Sequence, residues 1–258
     1  MTRGICKGCP NPCGKGVPAK QSDPIKFALC QILCEVRKEK CEGKHKGKAA
    51  SGVAEQKART DKRLSRAINK RYPGGSRAIN RSRMVPYKGA VPGGRKPMSP
   101  SAIKRRLKPI RDKLLKEFGG KVARKAAKKA ATAWLKLIPV VNVISTAYDV
   151  YDIAVTGYDL YKSVDKALSA YKGNVYNVRP DVEILGKDGQ LKDIYDFKFD
   201  GDRWRKGQRE LYNKALKDAG VKGKDVARNE ISDKTCKCDG PQKLPPGVAV
   251  PSSSGAGV

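Results

Sequence analysis

Positive charge is spread very unevenly along this chain. Residues 1–150 carry 37 Lys/Arg against 9 Asp/Glu, a net of +28, whereas residues 151–258 carry 19 against 16, a net of +3. Charge at that density favours a polyanionic partner: nucleic acid, an anionic membrane or an acidic protein. The organisation this implies is a basic arm joined to a nearly neutral domain that holds the carboxylates. With 258 residues, 39% apolar and 6% aromatic, the chain has length for one medium domain with an extension, or two small domains. His45 is the one histidine, which argues against Ser-His-Asp catalysis, His-rich zinc hydrolase sites and haem ligation.

After Met1 the chain runs into Gly4, Cys6, Pro10 and Pro12 without an apolar run, so no secretory signal is expected. The most apolar stretch, residues 137–148, falls short of the roughly 20 residues that cross a bilayer, and Asp149 and Asp152 follow it. No stable transmembrane span is expected. Synthesis in a cytoplasm follows, with any export using a route that reads no signal peptide.

The cysteines gather at the two ends. Cys6, Cys9, Cys13, Cys30, Cys34 and Cys41 lie within residues 1–43, a cysteine-rich segment, and Cys236 and Cys238 open the final segment, 235–258. Cys30 and Cys34 are four apart in an apolar run and share a helix face. Converging thiolates can bind Zn²⁺. An even count of eight equally allows disulfides, suited to a protein that works or travels outside a reducing cytoplasm. Free thiols are the third alternative.

Residues 44–100 are rich in Gly, Pro, Ser and Arg, with Glu55 and Asp61 as their acids. They read as a basic flexible linker, either touching phosphates or simply solvated. Within it, 53–71 has the pattern of one basic helix stopped by Pro73, Gly74 and Gly75. Ser65-Arg66-Ala67-Ile68-Asn69 recurs as Ser76-Arg77-Ala78-Ile79-Asn80, and two copies make no solenoid. Residues 101–172 read as a helical region, with stretches over 101–118, 121–137, 141–156 and 158–171. Tyr148, Tyr151, Tyr158 and Tyr161 at helical spacing fit helix–helix contact better than a base-stacking platform.

At Asn174 the texture changes. Residues 175–185 are strand-like, Gly186-Lys187-Asp188-Gly189 signals a turn, and 191–199 is strand-like again, which predicts a β-hairpin. A helix over 204–219 and a short strand over 225–231 complete a core at 173–234. Pro180-Asp181 precedes Asp196-Phe197-Lys198 by fifteen residues. Asp196 and Lys198, two apart on a strand, share a face. If Asp181 pairs near Asp196 across the hairpin, two carboxylates and an ammonium converge. Carboxylates that close repel and raise each other's pKa unless a cation neutralises them. Mg²⁺ or Mn²⁺, with its preference for oxygen, suits such a site. A lysine beside the cation can position the attacking water or assist its deprotonation. Phosphodiester hydrolysis is the chemistry this pattern serves. Glu183, two from Asp181 on the same strand face, is a further candidate ligand.

Here the chain resembles the PD-(D/E)xK nucleases, in Pro180-Asp181 and Asp196-Phe197-Lys198. Gln208-Arg209-Glu210-Leu211-Tyr212 is similar to the Q-x-x-x-Y motif of RecB-like members. Asp196 to Arg203 followed by Gln208 also looks like the VRR-NUC subgroup. The resemblance covers about residues 174–231, under a quarter of the chain. It implies a restriction-endonuclease-like core, an α+β or α/β fold with a mixed sheet flanked by helices, preceded by a basic, mainly helical, partly disordered region. It implies Asp181, Asp196 and the Phe197 carbonyl as metal ligands, Lys198 as the catalytic lysine, and Gln208 and Tyr212 as support for the lysine or contacts to the DNA backbone. The family often adds an acid from an upstream helix, for which Asp152, Asp159 and Asp165 are candidates.

A C-terminal nuclease behind a cysteine-bearing, basic N-terminus also resembles bacterial polymorphic toxins, including DNase effectors delivered by type VI secretion. That resemblance implies DNA as target, a cognate immunity protein, a secretion-apparatus or chaperone partner, and action in the cytoplasm of another cell. The alternatives are a housekeeping or phage nuclease, a non-catalytic basic DNA-binding protein, and membrane action through residues 121–161.

Overall fold

The computed structural model describes residues 16–91, 93–118 and 173–238. The expectations for Cys6, Cys9 and Cys13, for the helices over 121–171 with their tyrosines and aspartates, and for the tail beyond Cys238 lie outside them.

Helix α1 (Pro24–Cys41) begins where Asp23 caps it. The Asp23 carboxylate accepts from the N–H groups of Ile25 at 2.9 Å and Lys26 at 3.2 Å, and Pro24 fills the first helical position. Ile25, Leu29, Ile32, Leu33 and Val36, spaced three and four apart, form its buried stripe. The single helix expected over 53–71 is two helices. Asp61 leaves the helical region at ψ 119° and its carboxylate accepts from Leu64 N–H at 2.8 Å. That cap ends α2 (Ala50–Thr60) and starts α3 (Lys62–Arg71).

The chain then passes through β1 (Ser76–Ile79), β2 (Arg83–Tyr87) and α4 (Pro100–Phe118), the last close to the expected 101–118. After residue 172 come β3 (Asn174–Val178), β4 (Val182–Leu185), β5 (Leu191–Lys198) and α5 (Gln208–Asp218). A 3₁₀ turn (Val226–Asn229), β6 (Glu230–Ser232) and the short α6 (Asp233–Cys236) follow. The predicted strand at 225–231 is thus mostly turn. The expected strand over 175–185 is broken at Pro180, which has no N–H for a ladder. Its first half, β3, pairs antiparallel with β2 in a separate sheet. Its second half, β4, forms the predicted hairpin with β5.

The main sheet is mixed, in the order β1-β4-β5-β6. Its first three strands are antiparallel neighbours and β6 lies parallel to β5. Helices flank both faces. Val182, Ile184, Tyr195, Phe197 and Ile231 pack with the buried side chains of α1, α2 and α3. Leu185, Leu191 and Ile194 pack with Leu211, Tyr212 and Ala215 of α5 and with Val85 and Tyr176 of the small sheet.

This corrects the expected division of the chain. Residues 44–100 are not a flexible linker: they supply α2, α3 and an edge strand to the same sheet that holds the hairpin. Val53, Ala54, Leu64 and Ile68 sit in the core, so the apolar positions of this segment are buried however basic its other residues are. The core at 173–234 is likewise not a separate unit, because one strand of its sheet and one helical layer come from residues 24–79. Two disulfides tie these regions together, Cys30–Cys236 and Cys34–Cys238, with Cα–Cα separations of 5.2 and 5.4 Å. Cys41 is disulfide-bonded as well. The zinc alternative fails at these five cysteines, whose sulfurs are bonded to sulfur and offer no thiolate. Among the described residues, no helix is long and apolar enough to cross a membrane.

Candidate active site

The β4–β5 ladder pairs Val182 with Tyr195, so one step further Asp181 stands beside Asp196, as the hairpin requires. Asp181 Oδ2 accepts from the Phe197 N–H at 2.7 Å. Asp196 is 2% exposed, and Lys198 Nζ donates to its Oδ2. Lys198 also lies 4.6 Å from the centroid of the Trp204 ring, a cation–π contact. Trp204 is itself fixed, its Nε1–H donating to Glu230 at 2.6 Å and its ring meeting Tyr212 edge-on at 6.0 Å.

Helix α5 closes the site from above β5. Its Gln208 and Tyr212, one turn apart, share the face turned toward Asp196. Gln208 Nε2 donates to the Tyr212 hydroxyl at 3.0 Å and lies 3.5 Å from both Asp196 oxygens. The Tyr212 hydroxyl, with one proton to give, is 3.0 Å from the Arg179 carbonyl and 3.4 Å from Asp196 Oδ1. Gln208 and Tyr212 therefore orient the carboxylate, and the expected support for the lysine comes from Trp204 instead.

Electrostatics mark the pair out. Burial, then the charge of Asp196, push the Asp181 carboxyl up to about 8, with Glu55 adding in the same direction. Burial also raises Asp196 against the opposing pull of Lys198. Burial and the charge of Asp196 raise the Tyr212 hydroxyl, which stays protonated as a donor.

Glu55 is the residue the sequence reading missed. It stands on α2, and Asn80 bridges it to Asp181: Asn80 Nδ2 donates to Glu55 at 2.9 Å while Asn80 N–H donates to the Asp181 carbonyl at 3.0 Å. It is an acid from an upstream helix, the kind of residue sought at Asp152, Asp159 and Asp165. No spacing rule links it to Asp181, 126 positions away.

One expectation is corrected. Glu183 does share the strand face of Asp181, but Arg83 closes its carboxylate with bonds of 2.8 and 2.9 Å, at 0% and 8% exposure. It ties the two sheets together and is not open to a cation. At Phe197 the N–H donates to Asp181, and the ring packs on the opposite face of the sheet.

Among the described residues, no group of three His, Cys, Asp or Glu is gathered as a ready-made metal cage. The donor set still fits a magnesium-like ion, which typically takes one or two carboxylates and keeps several waters. Asp181 and Asp196 supply those carboxylates, and their mutual repulsion is what a cation would relieve. Compared with protein-family models, curated proteins and solved structures, the chain matches none of them.

Proposed function

We propose that this chain is a divalent-metal-dependent deoxyribonuclease with a restriction-endonuclease-like core. The supporting observation is the convergence of Asp181, Asp196 and Lys198 on one sheet face, under Gln208 and Tyr212 and beside Glu55. Each motif of the PD-(D/E)xK pattern contributes a side chain to this one place. A polar group that merely stabilised the fold would not need two carboxylates raised by burial, one of them raised further by the charge of the other.

Asp181 and Asp196 would hold Mg²⁺ or Mn²⁺, with Glu55 the third acid at the site. When bound, such an ion lowers the pKa of water and offsets charge on phosphoryl oxygens. Gln208 and Tyr212 keep the Asp196 carboxylate turned toward the ligand. Lys198 Nζ, held between Asp196 and the Trp204 ring, is placed to donate to the attacking water or to a phosphoryl oxygen. Trp204 and the buried strand exclude bulk water from one side of that ammonium. The charge of +31 supplies attraction to the phosphate backbone without base recognition.

The biological setting that best accommodates these features is an antibacterial toxin of the polymorphic or type VI secretion kind. Its DNase would be neutralised by a cognate immunity protein and delivered without a signal peptide into another cell. The disulfides suit a chain that passes through a non-reducing compartment. The test is plasmid cleavage with Mg²⁺, with EDTA, and by Lys198→Ala. Metal-dependent loss of supercoiled DNA, reduced about 10²-fold or more in the variant, is expected. DNA binding without cleavage under any metal would replace the nuclease with a basic DNA-binding protein.

A further inference from the structure

Residues 89–91 and 93–98 run along the edge of β3. Asn174 Nδ2 donates to the Gly89 carbonyl at 2.9 Å, Val91 N–H to the Tyr176 hydroxyl at 3.3 Å, and Met98 N–H to the Val175 carbonyl at 2.7 Å. Between these anchors the chain turns through Gly93 and Gly94, at φ 92° and 69°. A Cβ on Gly93 would meet the Lys206 Cβ at 2.1 Å, so the turn presses against the loop that leads into α5 at Gln208. Two residues beyond Gly93 in this turn stands Arg95.

Arg95 Nη1 is buried and has no hydrogen-bond partner among the described residues. Its guanidinium is near enough for its charge to act on the Tyr212 hydroxyl. Tyr212 is the residue whose hydroxyl approaches Asp196. A guanidinium donor that is buried and unpaired destabilises a fold, and native structures retain such groups where an ion or a ligand completes them. Arg83, on β2, shows the paired case, with its carboxylate in place. Arg95 has none among the described residues.

We infer that Arg95 is the anion-binding residue of the site, its guanidinium receiving the phosphodiester that lies over Asp181 and Asp196. The planar fork of an arginine matches two phosphoryl oxygens at once, which an ammonium cannot do. Lys198 and Arg95 then approach the phosphate from different elements, one from β5 and one from the turn after β2. Negative charge that grows on the phosphoryl oxygens during hydrolysis is stabilised by such a fixed donor. The identity of the anion rests on the nuclease reading; the anion site itself rests on Arg95.

The experiment is titration calorimetry of inorganic phosphate into the full chain, with and without Mg²⁺, for wild type, Arg95→Gln and Arg95→Lys, beside their DNA cleavage rates and melting temperatures. Wild type should take up phosphate, Arg95→Gln should bind it at least about tenfold more weakly, and Arg95→Lys should fall between. Cleavage by Arg95→Gln should fall about 10²-fold in kcat, with KM nearly unchanged. Its melting temperature should equal or exceed that of wild type, because the variant removes a buried, unpartnered guanidinium donor. A clear drop in melting temperature would make Arg95 structural and overturn the proposal. Unchanged phosphate affinity, no phosphate uptake by wild type, or wild-type kcat in Arg95→Gln would also overturn it. If wild type cleaves no DNA yet binds phosphate through Arg95, the nuclease reading falls and the anion site stands.

Discussion

Asp181 and Asp196 occupy one wall of the site, and their coupling has a direct consequence for stability. Asp181 titrates at about 8 in the fold against 3.8 for an ordinary aspartate, so the native state binds a proton that the unfolded chain has already lost. Stability linked to this group is present below the ordinary value and is lost as pH rises toward 8. In metal-free protein the melting temperature should therefore fall across that window more steeply than in Asp181→Asn, by calorimetry at matched ionic strength. Mg²⁺ competes with the same proton, so its stabilising effect should grow with pH over the same range. Equal slopes in wild type and variant would remove Asp181 from the coupled pair. Lys198 offers a second test through Trp204. A cation–π contact of about 1–2 kcal/mol predicts a roughly five- to thirty-fold loss of turnover in Trp204→Leu, with Trp204→Phe close to wild type. Turnover unchanged in Trp204→Leu would leave the ring a packing group. Asp181, Asp196, Lys198, Gln208 and Tyr212 were legible in the sequence because a hairpin and one helical turn bring them together locally. Glu55, Trp204 and Arg95 were not, since no periodicity relates them to the carboxylates. Glu183 was half legible: alternation gave its face, but Arg83, a hundred residues upstream, decides its role.

Among the elements, the repeated pentapeptide is the most instructive. Ser65-Arg66-Ala67-Ile68-Asn69 is helical in α3, whereas Ser76-Arg77-Ala78-Ile79 is strand β1. The same side chains take both forms, so local propensity does not choose between them. What chooses is the neighbourhood. Asp61 caps the first copy, and Gly75 starts the second where a Cβ would lie 2.8 Å from the Leu185 carbonyl of β4. Asp61 also pairs with Arg63, at 2.6 Å. Asp61→Ala should thus lower stability by about 1–2 kcal/mol in urea unfolding, and Asp61→Asn should recover part of it by restoring the cap. An Asn variant as unstable as Ala would assign the effect to the ion pair. The basic composition of 44–100 concealed this layer, because short alanine- and valine-bearing stripes bury little area between many lysines and arginines. The break at Pro180 was visible as a residue, yet its consequence, the transfer of β3 to a second sheet, depends on β2.

At the level of the whole molecule, the charge asymmetry does not divide it into arm and domain. Residues 24–71 of the basic half form the layer α1–α3 behind the sheet, and acids within it are paired, as Arg63–Glu35 and Lys57–Glu39 show. The two disulfides lock this layer to the end of the sheet, joining positions 206 and 204 residues apart. In the chain-entropy account, closing a loop of that length stabilises a fold by about 5 kcal/mol. The second bridge lies four residues and two residues from the first, so it closes only a small additional ring and adds far less. Cys30→Ser or Cys34→Ser alone should be mild, while Cys30→Ser with Cys34→Ser should cost several-fold more than the sum of the two, in urea unfolding without reductant. Additive losses would mean that each bridge acts through local packing and not through the loop. Cys236 and Cys238 pack on the α1 face of the sheet, whereas Asp196 and Lys198 turn toward α5. Reduction should accordingly lower the melting temperature while leaving the initial rate of DNA cleavage at 25 °C nearly unchanged. A rate that collapses with reduction below the melting transition would show that β6, and through it the register of β5, depends on the bridges to hold the carboxylates in place.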